Sequence, residues 1–256
     1  ARRRDAPTPL PTDARARDAP VLAAACYGDE RGDAAPRPNS GRAAGSAAGT
    51  DMSIPALPPA DDLRLPPVGP CRRASIAPYC ERVRAKLSAA RFAHVMRVAE
   101  LAETIARANR FDPGDLRATI LAAVLHDVAR EEDVETLFRL APPENDMERR
   151  HPLSVHGRAG RAVAASWGVT DERVLDAIEG HVFGVRPGDR VGMAVYVADV
   201  SEPGRGVNDD VRELAMGHLE RAYRRAVQTK VGYLRSRGKD VHPRTLQVHE
   251  ELGQPT

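Results

Sequence analysis

Histidine and aspartate side chains recur along this chain in an order that suits metal binding. His94, the adjacent pair His126–Asp127 and Asp199 span 105 residues, and His156 and His181 fall between them. Each lies in or beside an apolar or small-residue helical stretch, where an imidazole or a carboxylate is costly unless it is paired or bound to a metal. Together these side chains are enough to hold two metal ions. Their order therefore predicts a centre that hydrolyses a phosphate ester or anhydride.

Each of these side chains also has an ordinary structural explanation. His94 and His181 could be core histidines bonded to backbone carbonyls, and His156 could face solvent at a helix start. Asp199 could cap a helix. The pair His126–Asp127 argues otherwise, because two adjacent polar groups in the run Ala-Ala-Val-Leu-His-Asp-Val-Ala cannot both face solvent on a central helix. We therefore interpret the six side chains as one ligand set.

The residue pattern predicts an all-α protein with one folded domain. From about residue 74 apolar residues recur at helical spacing, without a convincing strand period. We expect a single helical bundle over residues 74–252. The expected helices are 76–87, 88–109 with Ser88 as cap, 116–131, a short acidic helix, 154–167, 171–181 capped by Thr170, 192–200, 209–237 and a short last helix from 243.

The first 73 residues have the composition of a disordered tail. Among residues 1–70, 34 are Pro, Gly or Ala, so the segment buries too little apolar surface to offset the entropy of ordering. We expect that removing residues 1–73 leaves folding and turnover unchanged. Because the sequence begins at Ala1, we expect either a fragment or a natural start at Met52.

Bulk properties narrow the class of partners. A net charge of +2 is too small to argue for nucleic acid, and no apolar run reaches the length of a membrane span. The tail lacks the apolar stretch of a secretory signal. The three cysteines show no metal-site spacing and no even count, so we expect no disulfide scaffold and favour a reducing cytoplasm.

The motifs resemble a known family, the HD-domain phosphohydrolases, whose signature is H…HD…D. Within this all-helical superfamily the chain is similar to the YqeK-type branch over about residues 76–251. The matching segments are Arg91–His94, Leu125–Arg130, His156-Gly157, His181 with the following Gly184, Tyr196–Arg205 and Gly238–Leu246.

That resemblance implies a symmetrical diadenosine tetraphosphate hydrolase, which cuts the central anhydride to give two ADP with a two-metal centre, usually iron. Manganese and zinc also suit imidazole and carboxylate ligands. By position, one metal would be held by His94, His126, Asp127 and Asp199. The second would be held by Asp127, His156 and His181, so that Asp127 bridges both.

The tetraphosphate also needs positive charge around it. Our candidates are Arg130, Arg205 and Lys239, with Arg130, Arg205 and Asp127 as the catalytic residues. Gly157 is a further candidate for substrate binding, because a glycine beside His156 lets the backbone approach a phosphate or a metal. We expect Glu202 to orient Arg205 or a ligand.

We interpret the basic stretch that runs from Arg221 through Lys230 to Arg237 as the solvated face of a helix.

One departure from the family pattern concerns substrate choice. Two threonines commonly follow the histidine at the position of His181, and here Val182 and Phe183 stand in their place. Three hypotheses therefore remain. The first is a dinucleoside polyphosphate hydrolase, with a homodimer left open. The second is another HD-type enzyme acting on a nucleoside monophosphate or a cyclic dinucleotide. The third is a catalytically silent helical module that keeps metal for stability.

Overall fold

Residues 69–253, the part of the chain that this computed structural model describes, form eleven α-helices and no strand. The all-α prediction is confirmed. Most of the predicted tail, residues 1–68, lies outside the described residues. The helices are α1 Ala77–Lys86, α2 Ala89–Ala108, α3 Pro113–Leu125, α4 Val134–Leu140, α5 Asp146–Arg150, α6 His156–Ser166, α7 Glu172–Gly180, α8 Arg190–Ser201, α9 Asp209–Ala215, α10 Leu219–Ser236 and α11 Pro243–Gly253.

Helix α8 is the centre of the bundle. All eleven of its residues from Val191 to Ser201 are buried, and α2, α3, α7 and α10 pack around it. A helix that is apolar on all sides is stable only when it is surrounded. The C-terminal part of α8 has no side that faces solvent, and Asp199 is therefore buried.

Short polar side chains start several of these helices. The Ser88 hydroxyl accepts a hydrogen bond from the Arg91 amide at 3.3 Å, as predicted. Asp171 caps α7 by accepting from the Arg173 amide at 3.1 Å, so the prediction of Thr170 as the cap is wrong by one residue. A carboxylate at this position also complements the helix dipole.

Two predicted helices are shorter in the structure. Helix α3 ends at Leu125, and residues 126–131 form turns. The expected helix 209–237 is divided into α9 and α10. The Asn109 side chain explains this division, because it donates to the Ala215 carbonyl at 2.7 Å and accepts from the Leu219 amide at 3.3 Å. One side chain thus caps the end of α9 and the start of α10.

The expectation of no disulfide is wrong. A bond joins Cys71 to Cys80, which are both buried and whose Cα atoms lie 5.9 Å apart. A 3-10 helix, Gly69–Arg72, folds back against α1 and brings the two thiols together. The separation of 9 residues matches no sequence motif, so only the fold shows this pair.

We now expect Cys71→Ser to destabilise the oxidised protein. The disulfide closes a loop with a sequence separation of 9 and restricts the unfolded chain, so its loss should lower the free energy of unfolding by about 2–3 kcal/mol. Removal of residues 1–73 takes away the same bond, so the earlier expectation for that truncation changes. Thermal unfolding of the full chain with and without reductant measures the effect. Reductant should lower the wild-type melting temperature and leave that of Cys71→Ser where it is. Equal melting temperatures of the oxidised wild type and Cys71→Ser would contradict a stabilising role of the disulfide.

Candidate metal centre

Three helices and two turns bring the six predicted ligands into one buried cluster. His94 lies in the first half of α2, His126 and Asp127 follow the end of α3, His156 begins α6, His181 follows α7, and Asp199 lies near the end of α8. All six are buried. Residues that are 105 positions apart in sequence therefore face one another.

Asp127 stands between two pairs of imidazoles. Its Oδ2 atom lies 3.8 Å from His94 Nε2 and 3.5 Å from His126 Nε2. Its Oδ1 atom lies 3.2 Å from His156 Nε2 and 3.7 Å from His181 Nε2. Each carboxylate oxygen thus faces a different pair of histidines, which is the arrangement that a bridging ligand requires.

Asp199 completes the first of these groups. Its Oδ1 atom lies 3.1 Å from His94 Nε2 and 3.8 Å from His126 Nε2. Three overlapping groups have ligand atoms within 4.8 Å of one another and can hold a metal. They are His94 with His126 and Asp127, His126 with His181 and Asp199, and Asp127 with His156 and His181.

Hydrogen bonds fix the tautomer of three of the imidazoles. The Nδ1 atoms of His126, His156 and His181 donate to the carbonyls three residues earlier, at 2.7, 2.5 and 2.7 Å. The Nε2 lone pair of each ring then points into the cluster, as in most metal-binding histidines. The structural explanation, a core histidine bonded to a backbone carbonyl, therefore accounts for the Nδ1 atoms. It does not account for the Nε2 atoms, which converge on one another.

The protonation states also suit metal binding. Burial, which is the largest influence, lowers the pKa of His126 and of His156 to about 4, so both rings are neutral at pH 7. The Nε2 atom of His126 is buried and has no hydrogen-bond partner among the described residues. A neutral, buried nitrogen with an unused lone pair fits a divalent metal ion, and the donor set of imidazole and carboxylate fits iron, manganese or zinc.

Both aspartates remain ionised in spite of their burial. Burial alone would raise the pKa of Asp127, but the neighbouring His126, His156 and His181 outweigh it and hold that pKa well below its usual range. For Asp199 burial again acts to raise the pKa, and Arg205 and His94 lower it further than burial raises it. The cluster therefore offers two anionic ligands at neutral pH.

The predicted cations lie at different distances from this cluster. Arg205 donates to both the carboxylate and the carbonyl of Asp199. Arg130 is buried, and its charge acts to lower the pKa of His156. Lys239 is exposed and lines a surface cavity of about 460 Å³ that includes none of the six ligands.

Two arginines near the ligands were not among the predicted site residues. Arg91 Nη1 donates to Asp127 Oδ2 at 3.1 Å, and Arg97 binds Glu202, whose Oε1 lies 3.0 Å from His94 Nδ1. Both arginines lie three positions from His94 on α2. A spacing of three residues places both arginines on the same side of α2 as His94, and this spacing could have identified them from the sequence.

Gly157 packs against the end of α7. A Cβ atom there would lie 2.6 Å from the Glu179 carbonyl oxygen and 3.1 Å from that of Ile178. The absence of a side chain thus lets α6 approach α7 and brings His156 Nε2 within 2.9 Å of His181 Nε2. The role of Gly157 toward substrate stays a prediction.

The two residues that replace the family threonines are buried. Phe183 stacks on His242, with ring centroids 3.6 Å apart and planes 10° from parallel. The Val182 carbonyl accepts a hydrogen bond from Lys230. Lys230 is therefore buried, and the prediction that it belongs to a solvated basic face is wrong. The loop after His181 is tied to α10 and to the start of α11.

Comparison with known proteins agrees with the geometry. The model of the HD domain family matches residues 91–204. The chain is 33% identical over 179 residues to the symmetrical bis(5'-nucleosyl)-tetraphosphatase of Bacillus subtilis, covering 66% of this chain and 93% of that protein. It is 31% identical over 143 residues to a Mycoplasma genitalium protein named probable nicotinate-nucleotide adenylyltransferase/Ap4A hydrolase, covering 52% of this chain. The chain spans only 40% of that relative's length.

A solved structure shares the fold. The crystal structure of a Clostridium acetobutylicum protein, described as a predicted HD superfamily hydrolase involved in NAD metabolism, superposes with a TM-score of 0.63 at 26% identity. The match covers 69% of this chain and 95% of that one. The fold and the buried ligand set thus define an HD-domain hydrolase. The chain belongs to the HD-domain family of symmetrical bis(5'-nucleosyl)-tetraphosphatases.

In the part of the chain that the structure covers, we find no helix with the length and apolar character needed to cross a membrane.

Proposed function

We propose that this enzyme hydrolyses diadenosine tetraphosphate at its central anhydride to give two ADP. The observation that carries the proposal is the position of Asp127, with one oxygen toward His94 and His126 and the other toward His156 and His181. This arrangement suits two adjacent metal ions. The relatives named symmetrical bis(5'-nucleosyl)-tetraphosphatase support the choice of substrate.

The ligand roles that we propose are those implied by the family resemblance, and the distances are compatible with them. One ion would be held by His94, His126, Asp127 and Asp199, and a second by Asp127, His156 and His181. When bound, such a pair of ions supplies a hydroxide at neutral pH and neutralises charge on the phosphates. Iron is our first choice of metal because of the family resemblance, and manganese and zinc fit the same donors.

The protein's own cations complete the site. Arg205 is partly buried against Asp199, so its guanidinium is held by a charge-assisted bond at the edge of the cluster. Arg91 holds Asp127 and is partly exposed, with 30% of its side chain accessible. We assign Arg205, Arg91 and Arg130 to binding of the tetraphosphate, in which ADP is the leaving group. Lys239 and Gly157 remain further candidates.

A second candidate substrate is favoured by one observation. Val182 and Phe183 are buried, so the loop after His181 presents no hydroxyl at these positions. A phosphohydrolase of the same family that acts on a nucleoside monophosphate or a cyclic dinucleotide would tolerate this change. A silent metal-binding module is disfavoured because all six ligands are present and converge.

The test is an anaerobic assay of the full chain with ferrous iron and diadenosine tetraphosphate, with products separated by chromatography. We expect ADP as the sole product, and activity should be lost on treatment with a chelator and return with metal. ATP plus AMP would contradict central cleavage. Turnover of a monophosphate or a cyclic dinucleotide with diadenosine tetraphosphate left intact would move the proposal to the second candidate.

The remaining partners follow from this substrate. We propose a small-molecule dinucleoside polyphosphate as the substrate and the cytoplasm as the location, with no nucleic-acid or membrane partner. The Cys71–Cys80 bond is unusual for a reducing compartment. A homodimer stays a prediction.

A further inference from the structure

Of the histidines in the cluster, His94 differs from the others in how its ring is held. His126 and His181 directly follow α-helices, and His156 directly follows the 3-10 helix Pro152–Val155, so each Nδ1 reaches the carbonyl three residues earlier. His94 lies inside α2, where the helix's own hydrogen bonds engage the backbone carbonyls. Its Nδ1 atom instead lies 3.0 Å from the Glu202 carboxylate. The Glu202 side chain therefore accepts from the His94 ring, as backbone carbonyls accept from the rings of His126, His156 and His181.

Glu202 is itself fixed from several sides. It is 1% exposed, and its Oε2 atom accepts hydrogen bonds from Arg97 Nε at 2.7 Å and from the Gly204 amide at 2.6 Å. Arg97 Nη2 also donates to Oε1, at 3.1 Å. A bidentate guanidinium–carboxylate pair restricts the carboxylate to one orientation. His94 and Arg97 lie one helical turn apart, so α2 presents both to the same glutamate.

The turn after α8 is shaped around this pair. Pro203 and Gly204 begin a short 3-10 helix, and a Cβ atom on Gly204 would lie 2.6–2.8 Å from three atoms of the Arg97 guanidinium. Glycine therefore leaves the space that Arg97 occupies. The next residue, Arg205, turns back to Asp199. The segment Glu-Pro-Gly-Arg thus holds one ligand through Glu202 and a second through Arg205.

We propose that Glu202 is a positioning residue for divalent metal binding, which orients the His94 imidazole so that Nε2 faces the ion, with Arg97 and Gly204 fixing Glu202. This inference rests on the metal centre proposed above. It adds that one of the two ions depends on the turn after α8, whereas the His156–His181 side does not.

The experiment is a titration of full-length, metal-free protein with Mn(II), following the free ion by electron paramagnetic resonance. We expect Glu202→Ala to weaken one of two binding events by about 10- to 100-fold and to leave the other unchanged. Glu202→Gln keeps an oxygen that accepts from His94 Nδ1–H, so it should weaken this binding event less than Glu202→Ala does. Arg97→Met should also weaken this binding event, because Glu202 loses its guanidinium partner. Glu81→Gln, at an exposed position on α1, is the matched control and should bind as wild type.

A second measurement needs no metal. Imidazole ¹⁵N resonances of the metal-free protein should show a proton on His94 Nδ1 in the wild type, and Glu202→Ala should lower the occupancy of that proton because its acceptor is gone. Two wild-type binding events in Glu202→Ala, or an unchanged proton on His94 Nδ1, would overturn the inference. If the wild type binds no Mn(II), the proposed centre fails, and the tautomer measurement still decides whether Glu202 orients His94. If Glu202→Ala does not fold, Arg97→Met carries the same two readouts.

Discussion

Asp127→Ala should remove both metal ions and reduce kcat by about a thousandfold or more, because a metal pair contributes several kcal/mol of transition-state stabilisation. The reason is geometric. Each Asp127 oxygen faces a different pair of imidazoles, at 3.2–3.8 Å. Removing this side chain therefore takes one anionic ligand from each half of the cluster. Metal content by elemental analysis and turnover of diadenosine tetraphosphate measure the two effects.

Two comparison variants sharpen this prediction. Asp199→Ala should lose the ion on the His94 side and keep the other, because Asp199 Oδ1 lies 3.1 Å from His94 Nε2. Asp146→Ala, at an exposed position on α5, should keep both ions and full activity. If Asp127→Ala retains two ions, the bridging role is wrong. Wild-type turnover in that variant would reject the two-metal account as a whole.

Gly157→Ala should destabilise the fold and weaken the second ion at the same time. The added methyl group would lie 2.6 Å from the Glu179 carbonyl oxygen, and backbone on both sides cannot yield without separating α6 from α7. Such overpacking costs about 1–3 kcal/mol, which corresponds to a fall of about 2–4 °C in Tm for each kcal/mol. Separation of the helices moves His156 away from His181. Thermal unfolding and metal content measure the result.

Gly232→Ala is the matched control for this variant. Gly232 also lies in a helix, but a Cβ atom there meets nothing within 4 Å, so the substitution should keep or slightly raise stability. The two explanations of Gly157 predict different outcomes. Packing predicts a lower Tm and lost metal, whereas close approach of a phosphate predicts a raised KM with Tm and metal content unchanged. The second pattern would contradict the packing explanation.

The ligand set was predictable because burial of polar groups leaves a trace in sequence. His126, Asp127 and Asp199 interrupt apolar runs, and such interruptions need a partner or a metal. The helical fold was predictable because apolar residues recur at the spacing that places them on one side of a helix. The order of ligands then resembled one family closely enough to suggest substrate and metals.

What sequence did not predict depends on contacts between distant segments. The division of α9 from α10 requires Asn109, which lies more than 100 residues earlier. The Cys71–Cys80 bond requires the 3-10 helix to fold against α1. Burial of Lys230 requires the loop at Val182 to pass over it, although helical periodicity alone placed it on the outer face.

The most direct test of the two-metal centre is a crystal structure of the metal-loaded protein with anomalous diffraction recorded at the metal edge. The account predicts two anomalous peaks about 3.5–4 Å apart, one on each side of the Asp127 carboxylate. One of them should lie against the Nε2 atoms of His94 and His126, and the other against those of His156 and His181. A single peak, or a second ion outside these six side chains, would contradict it.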